Sequence, residues 1–306
     1  MTEHLGTHSE RCLETIEAAH FVRAWKQDFG IDVAALFKDI DQIEMRLSEE
    51  SGRIRFVPSV PGDPAFYRSL RRFGWYHPEH KLEHAQAAQL AKPASLVLDV
   101  GAGTGDFSGY LNGATYLGLE SDGAAVETAK ALGRDVRQLT LSEWRKQPGF
   151  KPADVTAAFQ VLEHVTDPEA FIAEMAACLS QHGTLILGVP DAESYVADLP
   201  DFMLNAPPHH LTWWSEEAIR QLLNTAGFDV IDILRFPVEP WEYQLWWMAQ
   251  IARVFRKDQT SRFGQPLRLL KVISFALSWP LQWLRPPRSA CGSTLLVTAR
   301  RASLSR

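Results

Sequence analysis

One stretch restricts the possible folds of this chain more than any other. The apolar run Ser95-Leu-Val-Leu-Asp-Val100 passes directly into Gly101-Ala-Gly103-Thr-Gly105-Asp106. The run has the length of a buried strand. Glycines in the turn let the backbone bend sharply and come close to a ligand, because no Cβ stands in the way. A strand, a glycine turn and a following helix make up one parallel α/β unit. Its ligand lies at the carboxyl end of the strand, facing the helix N-terminus.

The residues that follow repeat the theme. Thr115–Glu120, Asp135–Leu139, Ala153–Phe159 and Thr184–Val189 read as strands, and Asp122–Leu132 and Pro168–Leu179 as intervening helices. Ser215–Ala226 is a helix with Ser215 as its cap and Gly227 as its stop. Phe228–Phe236 and Ser293–Arg300 read as the last two strands. Alternating strands and helices imply a mostly parallel, Rossmann-like sheet covered on both faces. We therefore expect an α/β domain over residues 95–306. Residues 1–94 precede it as a helical extension and acceptor lid, and residues 238–290 form a Trp/Arg-rich helical insertion.

The spacing of the loop bears on its ligand. A dinucleotide fingerprint is Gly-x-Gly-x-x-Gly. Here the third glycine comes one residue early, and Asp106 occupies its place. An acid there would repel a pyrophosphate but would tolerate a cationic ligand. Glu120 closes the second strand, where a carboxylate can hydrogen-bond a ribose diol. A purely structural glycine turn and an NAD-type oxidoreductase stay open as alternatives at this point.

Charge divides unevenly along the chain. Residues 251–306 hold 11 Lys and Arg and one acid, Asp258, within a net charge of −6. The acidic remainder excludes an ordinary nucleic-acid binder, while the basic tail suits an anionic partner. Cys12, Cys178 and Cys291 form no pair spaced for zinc or a disulfide framework. The polar first ten residues show no secretory h-region, so a cytoplasmic setting is expected.

These motifs together resemble class I S-adenosylmethionine-dependent methyltransferases. Leu96–Gly105 is similar to their cofactor loop. Phe159-Gln-Val-Leu-Glu-His164-Val with Asp167-Pro168 is similar to their fourth-strand motif, and Leu179–Pro190 to the entry into the fifth strand. Pro207-Pro-His-His210, followed by Trp214-Ser-Glu-Glu, resembles a motif of one bacterial branch, and Gly62–Tyr67 with Trp75-Tyr76 resembles its leading segment. The resemblance implies a strand order 3-2-1-4-5-7-6 with the last strand antiparallel. It also implies S-adenosylmethionine as cofactor, wrapped by Gly101, Ala102, Gly103 and Gly105. Asp99 would support the loop, Glu120 would bind the ribose, and Gln160 would border cofactor and acceptor. At the third-strand end, where relatives carry an acid, this chain has Gln138.

Methyl transfer needs an aligned acceptor and often a base. His209 and His210 are the first candidates, fixed by adjacent prolines, and His164 is the second. Each could instead only anchor its loop. Tyr67, Trp75 and Tyr76 could line the acceptor or simply pack. His77, His80, Glu83 and His84 allow a metal reading but fit a solvated helix surface better, so no metal is expected. Trp241, Trp246, Trp247, Trp279 and Trp283 lie among arginines in 241–288, which suits peripheral contact with an anionic membrane at the inner face of the cell membrane, or else a helical cap. The expected acceptor is a small molecule, a glycan precursor or a lipid-linked compound. A catalytically inactive interaction protein is the non-enzymatic alternative.

Overall fold

The computed structural model describes residues 9–74, 81–256 and 261–302. They form two compact units, each built from several stretches of chain. One unit comprises Tyr67–Pro190, Arg220–Phe236 and the chain from Thr294 onward. The other comprises the chain up to Phe66, Asp191–Ile219 and Pro237–Ser293.

The first of these is the expected α/β sheet. Its strands are β4 (Leu96–Val100), β5 (Thr115–Leu119), β6 (Val136–Arg137), β7 (Ala153–Phe159), β8 (Leu179–Pro190), β10 (Phe228–Pro237) and β11 (Cys291–Arg301). They lie in the order β10-β11-β8-β7-β4-β5-β6. β4 runs parallel to both β5 and β7, and β7 runs parallel to β8. β11 is antiparallel to β8, as expected of the last strand. The chain therefore moves outward from β4 on one side, then crosses to β7 on the other. This switch opens a crevice beyond the carboxyl end of β4.

Alternation along the strands places Val97, Val155, Ala157, Phe159 and Ile186 in one core with Ala87 and Phe107. Local chemistry sets the helix starts. Asp122 accepts from the backbone N–H groups of Ala124 and Ala125 to begin α4 (Gly123–Ala131). Asp167 accepts from Ala170 N–H ahead of Pro168 to begin α6 (Pro168–Cys178). Ser215 Oγ accepts from Ala218 N–H at 3.2 Å, and Gly227 stops α7 (Glu216–Thr225) at φ 80°.

The division of the chain falls at Phe66/Tyr67 rather than at residue 94. The reason is visible in α3 (Leu82–Ala88), whose Ala87 is fully buried in the α/β core. Glu83 and His84 on the same helix are buried too, so the solvated surface read from their spacing is corrected. Both lie on the helix face that carries Ala87 into the core. His77, His80, Trp75 and Tyr76 lie outside the described residues.

The second unit holds strands that the helical reading of residues 1–94 did not expect. β1 (Glu10–Glu17), β2 (Gln42–Ser48), β3 (Ile54–Val57) and β9 (Thr212–Trp213) form an antiparallel sheet in that order. The polar sequence of β1 disguised it, since half of its residues are exposed and only Ile16 is buried. Helix α1 (Ala18–Phe29) stops at Gly30, φ 65°. Its Phe21 and Trp25 are fully buried, and Phe21 meets the rings of Phe37 and Phe263. The insertion expected over 238–290 belongs to this unit as helices α8 (Tyr243–Phe255) and α9 (Gln265–Ser278). A polar network reaches α9: Asp201, fully buried, meets His20 at 2.6 Å and Arg268 at 3.1 Å, and Asp28 meets Arg268 and Lys271. Among the described residues, no helix is long and apolar enough to cross a membrane.

Candidate active site

The crevice beyond β4 is shaped by glycines that only glycine can replace without strain. Gly101, Gly103 and Gly105 have φ of 71°, 55° and 76°. The N–H groups of Gly101 and Ala102 both donate to the Leu119 carbonyl, at 2.8 and 3.0 Å. This pins the loop onto the end of β5. A Cβ on Gly101 would lie 2.5 Å from Val161 Cγ2, just past β7. A Cβ on Gly118, inside β5, would lie 2.7 Å from the Ala102 side chain. The loop is thus wedged between β5 and the turn after β7. Gly103 differs: a Cβ there would meet nothing within 4 Å, so the loop is held at its ends and open at its middle.

Carboxylates surround this opening. Glu120 Oε2 accepts from Gly103 N–H at 2.9 Å, and its Oε1 accepts from Asp122 N–H at 2.9 Å. Asp99 is buried and accepts from Tyr116 Oη–H at 2.8 Å. Burial pushes its carboxyl up to about 7, against the opposing effect of the Tyr116 bond. Burial alone would raise Asp106 as well, but hydrogen bonds from Arg134 and Thr104 hold it below the ordinary value. Arg134 also donates to the Thr104 carbonyl at 2.9 Å. Asp106, which replaces the glycine of a dinucleotide loop, is therefore a fastener for the loop. Gln138 Nε2 donates to the Ser121 carbonyl at 3.0 Å.

The carboxyl end of β7 supplies a second group. Gln160 sits at φ 56°, its N–H donating to Gly188 at 2.8 Å and its Nε2 to Glu83 at 3.1 Å. Glu163 is 1% exposed, and burial, reinforced by the nearby Glu83 charge, pushes it up to about 8. His164 lies 3.8 Å from Glu163, and Tyr67 meets its ring edge-on at 5.7 Å. Burial, with the Glu163 charge, raises the Tyr67 phenol above its ordinary value. Burial holds His84 neutral, down to about 3. Asp99, the glycines, Glu120, Gln160, His164 and Tyr67 all belong to the α/β unit. Tyr116, Gly118 and Arg134 were not anticipated, and Glu83 was read only as helix surface or a metal ligand. A glycine inside a strand pattern, as at Gly118, was the one available signal.

His209 and His210 belong to the other unit. They stack at 4.4 Å and are 5% and 7% exposed. His209 Nδ1 bonds the Leu204 carbonyl at 2.8 Å, and His210 Nδ1 bonds Asn205 Oδ1 at 3.1 Å. A carbonyl only accepts, so Nδ1 of each neutral ring carries the proton and Nε2 carries the lone pair. Trp25 donates to the Pro207 carbonyl at 2.9 Å and meets the His209 ring, while Trp213 donates to Asn205 O at 2.7 Å. The loop holds both rings from several sides.

The methyltransferase-domain family matches residues 71–233, just over half of the chain. A "Probable S-adenosylmethionine-dependent methyltransferase" of Mycolicibacterium smegmatis is 30% identical over 45% of this chain and 53% of its own length. A ubiquinone biosynthesis O-methyltransferase of Histophilus somni is 27% identical over 51% of this chain and 79% of its own. The chain spans from 38% to 79% of the length of the curated relatives it matches. Among solved structures, a SAM-dependent methyltransferase from Archaeoglobus fulgidus shares the fold, with TM-score 0.51 at 15% identity over 78% of this chain and all of that one.

Proposed function

Because this chain belongs to the methyltransferase-domain family and is a class I S-adenosylmethionine-dependent methyltransferase, we propose that it methylates an oxygen or carbon of a small-molecule, glycan-precursor or lipid-linked acceptor. The observation that carries this reading is the glycine loop, pinned at Gly101 and Gly105 and open over Gly103, with Glu120 at its rim. That cradle fits the cofactor. The cofactor is cationic, and the Glu120 carboxylate at the rim of the loop complements such a charge.

When bound, S-adenosylmethionine supplies a methyl group activated on a positively charged sulfur. The chain's own residues hold and orient. Gly101, Ala102, Gly103 and Gly105 present backbone in place of side chains. Glu120 offers its carboxylate to ribose hydroxyls, and Asp99 keeps the loop's base in place through Tyr116. Gln160, locked by Glu83, borders the cofactor and the acceptor, and Tyr67 lines the acceptor. Such positioning contributes several kcal/mol, with about 7–11 kcal/mol available in ideal cases.

An oxygen or acidic-carbon acceptor must also lose a proton. His209 or His210 takes it at Nε2, the nitrogen left with the lone pair by the bonds to Leu204 and Asn205, and His164 is the second candidate base. The likeness to ubiquinone biosynthesis O-methyltransferases favours oxygen as the atom methylated. A lipid-linked acceptor would place the protein at the inner face of the cell membrane, in a cytoplasmic setting.

Calorimetric titration with S-adenosylmethionine and with NAD, followed by transfer of a labelled methyl group into cell extract, tests the reading. Saturable binding of the first ligand alone, with label entering an extractable small molecule or lipid, is expected. Binding of NAD, or label entering only protein or nucleic acid, would overturn it.

A further inference from the structure

Helix α9 carries its polarity the wrong way round for a helix of a water-soluble protein. Ser274 and Ser278 face inward and are fully buried, and Arg268 and Lys271 turn inward to Asp28 and Asp201. The outward face carries Leu269 (64% exposed), Val272 (62%) and Phe275 (46%), followed by Trp279 (57%) and Trp283 (86%). Positions 269, 272 and 279 recur at helical spacing, so this is one continuous stripe. Stripes of this kind mark interaction sites.

The charges around the stripe identify the occupant. From Gln259 to Arg306 the chain has no Asp or Glu. The cations of α9 are paired with part-buried Asp28 and buried Asp201, but Arg285 and Arg288, directly after Trp283, are exposed. An apolar stripe ending in indoles and then guanidinium groups matches the layering of a bilayer surface: acyl chains, headgroup boundary, anionic headgroups. The 14 residues of α9 extend about 21 Å, too short to cross a bilayer but suited to lie along it. A second copy is a poorer occupant, because its matching face is equally devoid of acids and leaves Arg285 and Arg288 without counter-charge.

We propose that the face of α9, with Trp279, Trp283, Arg285 and Arg288, is a docking surface for a membrane rich in anionic lipid. The inference is independent of the acceptor, since docking is scored without turnover. The test is flotation of the full chain with vesicles of phosphatidylcholine alone and with 30% phosphatidylglycerol, alongside its mass in solution. The folded protein should float with the anionic vesicles, its tryptophan emission should shift to the blue, and high salt should weaken the binding. Arg285→Gln with Arg288→Gln should lower partitioning about thirty-fold. Leu269→Glu with Val272→Glu should abolish it. Unchanged circular dichroism and S-adenosylmethionine binding would show that both variants remain folded. Failure of the wild type to float, equal binding to both vesicle types, or a lipid-free dimer that the Leu269/Val272 variant splits would overturn the proposal.

Discussion

Gly101→Ala tests the cofactor loop at its tightest point. Two penalties arise. The residue sits at φ 71°, and an alanine held there costs about 1–2 kcal/mol. Its Cβ would also stand 2.5 Å from Val161 Cγ2, and relieving such an overlap in a packed site costs about 1–3 kcal/mol. If the loop yields instead, it leaves the arrangement in which Gly101 and Ala102 donate to Leu119. Either way, S-adenosylmethionine affinity measured by calorimetry should fall by roughly 30-fold or more, taking about 1.4 kcal/mol per tenfold. Adding Val161→Ala removes the overlap but not the backbone cost. The double variant should therefore recover all but roughly 5- to 30-fold of the loss, a coupling of about 1–3 kcal/mol. Affinity of Gly101→Ala within twofold of wild type, or no recovery in the double variant, would refute the wedge between β5 and the turn after β7.

Other outcomes follow from the same structure. Of His210→Ala and His209→Ala, one should reduce turnover about 10²- to 10⁴-fold while calorimetry shows cofactor binding retained; unchanged turnover in both would remove the pair as the base. Asp99 and Glu163 hold protons up to about 7 and about 8, whereas in the unfolded chain they release them near ~4. The folded state then binds more protons than the unfolded one across this window, so their contribution is fully present at the acid end and is lost as pH rises through the folded values. Denaturant titrations should show stability falling between about pH 4 and 8, and Glu163→Gln should flatten that slope. Asp201→Asn should destabilise the protein by about 3–5 kcal/mol, seen as a lowered urea midpoint, because it leaves His20 and Arg268 facing a neutral amide in place of a buried carboxylate.

The α/β unit was legible because its signals are local. Each strand is a short apolar run, and the glycine loop, the Asp122 and Asp167 caps and the Gly227 stop declare themselves within a few residues. Asp99, Gly101–Gly105 and Glu120 could be named for the same reason. The antiparallel sheet was not legible. β1 is exposed at half of its positions and buried only at Ile16, and β9 is two residues long, so neither shows a clear period. Glu83 was misjudged because nothing in its neighbourhood tells that its helix packs under Gly188, where a Cβ would lie 2.5 Å from its carboxylate. Tyr116 and Arg134 join Asp99 and Asp106 across 17 and 28 residues, separations that no local pattern encodes.

The short strand β9 has a consequence for biosynthesis. It completes the sheet begun by β1, β2 and β3, yet Thr212 leaves the ribosome 155 residues after Val57. At ordinary rates of translation that is a wait of roughly 8–30 s. During it, the hydrogen-bonding edge of Ile54 and Arg55 has no native partner, and the nascent chain offers a free strand to any other chain nearby. Chaperone dependence and sensitivity to translation speed should therefore concentrate in the first sixty residues.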